Sequence, residues 1–184
     1  MGSMAEVPDN EILLRRARKG DFESLFRAYE RPVFHLVRRI LSRTEDAEEA
    51  VQETFLEVFR SLPSYRGDAP LWSWIRSVAA SKALMRVRRQ KNRGEEEPLE
   101  EERAPGVPAH FSPERLDLER ALERLSPVSK AVLWLHDVEG YTHEEIGGLM
   151  DRTPSFSKSQ LARAHERLRT LLAEGDGEAA CIRP

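Results

Sequence analysis

The stretch YTHEEIGGLMDRTPSFSKSQLARAHERLR, residues 141–169, decides the fold of this chain. Thr142 and Glu145 form a capping box before a short apolar run, and Thr153-Pro154 repeats a helix-start signal after the intervening turn. Two short helices joined by such a turn predict a helix-turn-helix. A zinc-protease helix is excluded, because it would need a second histidine where Gly147 stands.

The second of these helices is amphipathic. Leu161, Ala164, Leu168 and Leu172 share one face of the helical wheel, which predicts that they pack on the preceding helices. A recognition helix needs such a seam, together with small polar or arginine side chains that reach base edges in the major groove. An ordinary amphipathic surface helix would give the same wheel. The candidate DNA-reading residues are Ser155, Phe156, Lys158, Ser159, Gln160, Arg163 and Arg167.

Helical periodicity dominates the rest of the chain as well, and strand alternation is nearly absent. The pattern predicts an all-α protein: four helices, a linker and four more helices, in two small domains. We expect a tag remnant at 1–8, a first domain at 9–91, a flexible acidic linker at 92–112, a helix-turn-helix domain at 113–172 and a disordered tail at 173–184.

Several helix boundaries carry local signals. The first helix is expected between Asp9 and Gly20, and the second begins after Asp21. Pro32 bends or breaks the second helix. Asp46 is expected to be the N-cap of the third helix.

Composition limits the function. The chain has 184 residues, a net charge of −3 and one cysteine, which excludes an internal disulfide and favours a cytoplasmic location. No apolar run is long enough to cross a membrane, so no membrane insertion is expected. His136, His143 and His165 lack ligand spacing and are expected to be solvated, so no metal and no cofactor are predicted.

Two stretches resemble a known family. The stretch DAEEAVQETFLEVFRSLPSYRGDAPLWSWIRSVA, with the basic helix after it, is similar to the second region of bacterial extracytoplasmic-function (ECF) sigma factors. The stretches LERLSPVSKAVLWLHDVEGYTHEEIGGLM and KSQLARAHERLR are similar to the fourth region. The resemblance implies a transcription factor without catalytic residues, which joins RNA polymerase core and directs it to promoter DNA. It also implies contacts with the β′ coiled coil and the β flap, and a masking regulator, often an anti-sigma protein.

The resemblance assigns roles to residues of the first domain. An acidic, partly apolar helix face suits a basic helical partner, although a solvated charged face would look the same. The core-binding candidates are Asp46, Glu49, Gln52, Glu53 and Phe55. The −10 candidates are the loop residues Tyr65, Arg66 and Asp68, the neighbouring Trp72, and a basic stripe of Lys82, Arg86, Arg89 and Arg93. Trp74 is assigned to the core, and the loop aromatics could equally be core residues.

Some positions depart from the family pattern. The family usually has Gly then Ile where this chain has Asp151-Arg152, and an apolar residue where it has Ser157. Phe156 faces outward unless the turn shifts by one residue, which would put it in the core. Two rival functions stay open: a stand-alone helix-turn-helix regulator, and a helical module that binds only protein.

Overall fold

The computed structural model describes residues 10–92 and 113–180. Within these ranges the chain is helical and contains no strand, which confirms the predicted all-α class with four helices on each side of the linker. The expected tag remnant, linker residues 93–112 (including Arg93) and residues 181–184 lie outside the described residues. The helices are α1 (Asn10–Arg18), α2 (Phe22–Ile40), α3 (Thr44–Ser61), α4 (Leu71–Asn92), α5 (Pro113–Glu123), α6 (Pro127–Leu133), α7 (His143–Met150) and α8 (Pro154–Ala180).

The first helix boundaries follow their local signals, except at Asp46. Asp21 caps α2, because its carboxylate accepts a hydrogen bond from the Ser24 amide at 3.2 Å. Pro32 lies inside α2 without breaking it. Asp46 is not an N-cap: α3 begins at Thr44, and Asp46 lies in its first turn, where a carboxylate still suits the helix dipole.

The chain divides into two compact units, Met1–Arg86 and Val87–Pro184. In the first unit α2 packs on both α1 and α3. Its core contains the fully buried side chains of Leu25, Val33 and Val58. Each such side chain stabilises the unit by about 1.5–3 kcal/mol relative to exposure, so this core holds α2 and α3 side by side.

The second unit is built around α8, on which α5, α6 and α7 all pack. Leu135, Ile146 and Ala164 have no exposed surface there. The last turn of α6 continues as a π-helical turn, Trp134–Val138. The helix α8 runs on to Ala180, beyond residue 172, where the helix-turn-helix domain was expected to end.

Candidate functional site

The predicted helix-turn-helix is formed by α7, a left-handed turn and α8. The capping box is closed, because the Thr142 amide donates to Glu145 Oε2 at 2.7 Å and the Glu145 amide donates to Thr142 Oγ1 at 3.2 Å. Asp151 ends α7 with φ 54°, and its amide donates to the Gly148 carbonyl at 3.2 Å. The left-handed residue that glycine usually supplies is therefore an aspartate in this chain.

The helix α8 has a buried face and an exposed face, as its periodicity predicts. Leu161, Ala164 and Leu171 are buried, whereas Leu168 and Leu172 are half-buried. The seam that holds α8 down therefore ends at Leu171 rather than at the predicted Leu172. Candidate DNA-reading residues on the exposed face are Ser155, Lys158, Ser159, Arg163 and Arg167.

Ser157, and not Phe156, faces the interior of the second unit. Ser157 has no exposed surface, and its Oγ lies 3.0 Å from His143 Nδ1. Phe156 is half-buried, and the guanidinium carbon of Arg152 lies 6.0 Å from the centre of its ring. The turn therefore has the unshifted register, and Phe156 remains on the outer side of α8.

Gln160 differs from the other candidates on α8, because it is hydrogen-bonded to its own unit. Ser129 Oγ donates to Gln160 Oε1 at 3.0 Å, and Ser126 Oγ donates to Ser129 Oγ at 2.9 Å. Ser126 is also the N-cap of α6. Gln160 thus links α8 to the start of α6, and this hydrogen bond uses one of the two acceptor positions of its carbonyl oxygen.

Three histidines that are distant in sequence meet beside Asp137. His136 Nδ1 lies 2.8 Å from one Asp137 oxygen, and His165 Nε2 lies 2.6 Å from the other. The His136 and His143 rings stack at 4.4 Å. Burial acts to raise the pKa of Asp137, but the hydrogen bonds from His136 and His165 outweigh it and lower that pKa. The three histidines thus keep part of their surface exposed but interact with one another and with Asp137, and no group of His, Cys, Asp or Glu in the described residues is arranged to hold a metal ion.

The loop between α3 and α4 is closed by its own side chains. The Tyr65 hydroxyl donates to the Ala69 carbonyl at 2.5 Å, and Gly67 has φ 85°, which favours glycine. Arg66 pairs with Asp68 at 3.0 Å, yet the two side chains remain 83% and 73% exposed. The loop thus presents a charged pair beside a fixed tyrosine.

The two tryptophans at the start of α4 have different neighbours. The Trp72 ring stacks on the buried Tyr29 at 5.8 Å, with planes 5° apart. The Trp74 ring lies 4.9 Å from the Tyr65 ring, and both tryptophans are half-buried. Trp72 therefore packs on a core residue. Trp74, which was assigned to the core, packs on Tyr65 beside the loop.

Two basic side chains of α4 that were expected to meet DNA phosphates face α3. Lys82 Nζ lies 3.3 Å from Glu57 Oε2. Arg86 Nη1 lies 2.7 Å from Glu49 Oε2, and Arg86 Nη2 lies 2.8 Å from Glu53 Oε1. Because the Arg86 side chain is only 12% exposed, it does not fit the expected role in phosphate binding.

Other residues of the acidic face of α3 and the basic face of α4 keep part of their side-chain surface exposed to solvent. Arg89 is exposed on α4. Asp46 is half-buried, and its Oδ1 lies 3.4 Å from Arg86 Nη1. Glu49 is 64% exposed in spite of its ion pair, and Gln52 is exposed as well. Glu49 and Gln52 are therefore the core-binding candidates most accessible to a partner.

Phe55 does not fit the expected direct contact with polymerase. It is 2% exposed, and its ring centre lies 4.8 Å from that of Phe26 and 5.9 Å from that of Phe59. Phe59 in turn lies 4.6 Å from Phe22. Phe55 is thus part of an aromatic cluster that joins α2 to α3.

A surface cleft of about 760 Å³ runs between α2 and α3. Its lining combines apolar side chains with charged ones, and Gln52 belongs to it. The lining residues are Phe26, Glu30, Arg31, Phe34 and His35 from α2, and Glu48, Val51 and Gln52 from α3. Such a cleft suits a side chain or helix edge with both an apolar and a charged part.

Family models match both units of the chain. The model described as Sigma-70 region 2 matches residues 25–93, and the model described as Sigma-70, region 4 matches residues 115–168. A curated ECF RNA polymerase sigma-E factor of Haemophilus influenzae is 30% identical over 90% of this chain and 96% of its own length. The chain belongs to the ECF sigma factors.

Two mycobacterial relatives agree with this assignment. The ECF sigma factor SigM of Mycobacterium tuberculosis is 32% identical, over 93% of this chain and 88% of its own length. SigE of Mycolicibacterium smegmatis is 31% identical over 90% of this chain, which spans 66% of that relative's length. As an ECF sigma factor, the protein is a transcription initiation factor, and it directs RNA polymerase to promoters.

Solved structures share the fold. The sigma factor RpoE of Bartonella quintana, in complex with the anti-sigma factor NepR, matches 83% of this chain with a TM-score of 0.60 at 21% identity. CnrH, in complex with the cytosolic domain of CnrY, matches 90% of the chain with a TM-score of 0.53 at 20% identity. No helix among the described residues of this sigma factor is both long and apolar enough to cross a membrane.

Sequence reasoning missed part of the candidate surfaces of this ECF sigma factor. Phe26 and Phe34, which were not among the candidates, are half-buried and line the cleft. Ala162 is exposed on α8 between Gln160 and Arg163 and was left out because a lone alanine carries no pattern.

Proposed function

We propose that this ECF sigma factor holds RNA polymerase core through the cleft between α2 and α3 and contacts promoter DNA through two separate surfaces. The loop between α3 and α4 takes the −10 element, and the exposed face of α8 takes the −35 element. The observation that carries the proposal is α8 itself: its apolar seam is buried, and its opposite face presents serines and arginines to solvent.

The −35 surface follows from the anchoring of α8. Leu161 and Ala164 hold the helix on its unit, and Gln160 fixes it to α6 through Ser129. A helix fixed in this way can present Ser159 and Arg163 to base edges without losing further conformational freedom. Arg163 has the reach for a bidentate contact with guanine, which is the commonest specific contact of an arginine.

The −10 surface follows from the aromatic pair beside the loop. Tyr65 and Trp74 lie against each other, and the Tyr65 hydroxyl is bonded within the loop, so the pair is fixed before DNA arrives. A base extruded from the duplex gains about 1–3 kcal/mol by stacking on such a ring. Arg66 and Asp68 beside it offer donors and acceptors to the edge of that base.

The polymerase surface follows from the cleft. Phe26, Phe34 and Val51 give it an apolar part, while Glu30 and Arg31 add charge of both signs. This combination fits a helical partner such as the β′ coiled coil, in which charges orient the complex and apolar burial supplies affinity. The second unit is proposed to sit on the β flap.

The remaining parts of the proposal concern regulation and location. In one of the two solved structures named above, the sigma factor RpoE is bound to the anti-sigma factor NepR, and in the other CnrH is bound to the cytosolic domain of CnrY. We propose a masking regulator for this chain as well, a cytoplasmic location, and no catalysis or cofactor of its own.

In vitro transcription with core polymerase on a library of promoters tests the proposal. The chain is expected to stay bound to core in a pull-down and to start transcripts from a subset of templates. Gln52→Ala is expected to weaken core binding, whereas Glu123→Gln, exposed on α5, serves as a control for general surface changes. Retention of DNA binding without any core binding would favour a stand-alone regulator instead.

A further inference from the structure

Arg86 lies where the acidic helix α3 and the basic helix α4 meet. Its guanidinium contacts three carboxylates of α3: Asp46 at 3.4 Å, Glu49 at 2.7 Å and Glu53 at 2.8 Å. We propose that Arg86 is a positioning residue, which holds Glu49 and Glu53 in place on the polymerase-binding surface and does not contact DNA. This inference rests on the proposed function, because it assumes that α3 meets polymerase.

The hydrogen-bonding capacity of Arg86 is directed inward. Both terminal nitrogens are used by carboxylates, and Nε is buried with no hydrogen-bond partner in the described part of the chain. With a side chain only 12% exposed, Arg86 has little surface left for a phosphate. Lys82 follows the same pattern one turn earlier, where it pairs with Glu57 and is 22% exposed.

The charges on α3 require a cation at this place. Asp46, Glu49 and Glu53 are spaced three and four residues apart, so they project from one face of the helix and repel one another. A guanidinium is planar and always charged, and its forked donors can bind several carboxylates at fixed angles. A lysine would place a single point charge there and could not hold the carboxylates in the same geometry.

The exposures of the three carboxylates indicate which side a partner meets. Asp46 is 24% exposed, Glu53 is 38% exposed and Glu49 is 64% exposed. Glu49 therefore points to solvent with Arg86 behind it. A basic partner that approaches α3 meets Glu49 in an orientation that Arg86 sets, so the effect of Arg86 on binding is indirect.

Three variants of the full chain test this role: Arg86→Gln, Arg86→Lys and Arg89→Gln. Arg89 is exposed on the same helix and is the matched control. Two quantities are measured at a temperature where circular dichroism shows every variant folded. The first is the Kd for core polymerase, and the second is the salt dependence of promoter binding by holoenzyme assembled at saturating sigma factor.

Arg86→Gln is expected to weaken core binding by about 2- to 30-fold, the range for residues that act through a neighbour, and to leave the salt slope of promoter binding unchanged. Arg86→Lys is expected to fall between Arg86→Gln and the unchanged chain, and it carries the test if Arg86→Gln does not fold. Arg89→Gln is expected to keep core affinity and to reduce the salt slope by about 1 if it contacts a phosphate.

The outcomes separate the inference from the proposed function. If Gln52→Ala weakens core binding and Arg86→Gln does not, the positioning role is wrong and the proposed function stands. A salt slope reduced by about 1 in Arg86→Gln would make Arg86 a phosphate contact. If Arg86→Gln weakens core binding and also weakens promoter binding to the same extent at every salt concentration, the role of Arg86 is merely structural. If the unchanged chain fails to bind core, the proposed function and the inference fail together.

Discussion

Phe55 provides the sharpest test of how α3 is used, because its predicted role and its observed position differ. We expect Phe55→Ala to destabilise the first unit strongly and not to act through a lost polymerase contact. The ring is 2% exposed and packs on Phe26 and Phe59. Truncation of a buried phenylalanine to alanine costs about 3–5 kcal/mol, since the lost apolar contacts and the cavity both count.

That cost is large enough to measure without ambiguity. For a unit of this size, about 1 kcal/mol shifts the melting temperature by about 4–8 °C, so the shift should exceed about 12 °C. Leu56 is the matched control, because it is the next residue on the same helix and is 56% exposed. Leu56→Ala is expected to change the free energy of unfolding by less than about 0.5 kcal/mol.

Thermal unfolding followed by circular dichroism gives the first measurement, and the Kd for core polymerase gives the second. Phe55→Leu keeps most of the apolar volume, so we expect it to bind core within about twofold of the unchanged chain. The reasoning is refuted if Phe55→Ala leaves the melting temperature where it was and abolishes core binding, since Phe55 would then be an interface residue.

Three further predictions concern the helix-turn-helix unit. Arg163→Ala should weaken binding to the −35 element by about 1–3 kcal/mol and leave the melting temperature unchanged. Transcription by Arg163→Ala at the level of the unchanged chain on every promoter would contradict this. Residues other than glycine are strained at φ 54°, the conformation of Asp151. Asp151→Gly should therefore raise the free energy of unfolding by up to about 1 kcal/mol, and Asp151→Val should lower it by about 1–2 kcal/mol. Urea denaturation should show changes of opposite sign in the free energy of unfolding for the two variants. Burial lowers the pKa of His143, helped by His136 and Lys158 and opposed by Asp137 and Glu144. The folded state thus resists protonation, and melting temperatures should fall as the pH drops below the ordinary histidine pKa of about 6.5. A similar fall in His143→Gln would show that another group is responsible.

The sequence predicted the helices well, because each of them buries a stripe with a period of 3.6 residues. The stripe of α3, for example, contains Ala47, Val51 and Val58, all of which are buried. The capping box of Thr142 and Glu145 was equally predictable, since it depends on residues three apart. Such features are local, and their physical cause lies within one or two turns of helix.

Other features were not predictable because they depend on the rotation of one helix against another. Trp72 and Trp74 are two residues apart, so their side chains point about 200° apart on α4. If the side of α4 that faces the core is predicted wrongly, the roles of the two tryptophans are exchanged. Tyr29 determines the outcome by stacking on Trp72. Likewise, periodicity shows that Gln160 flanks the apolar seam, but it cannot show that Ser129 lies opposite it.

The charged faces of α3 and α4 illustrate the same limit, and they also bear on how the protein meets DNA. Periodicity predicts an acidic face and a basic face, but not that the two face each other. Because Lys82 and Arg86 pair with glutamates, these two cations are not available to release counterions from phosphates. With a net charge of −3, we expect the free chain to have little general affinity for DNA, and we expect its promoter contacts to come from exposed groups such as Arg66, Arg89 and Arg163. A few exposed contacts favour selection by sequence once polymerase supplies the remaining affinity.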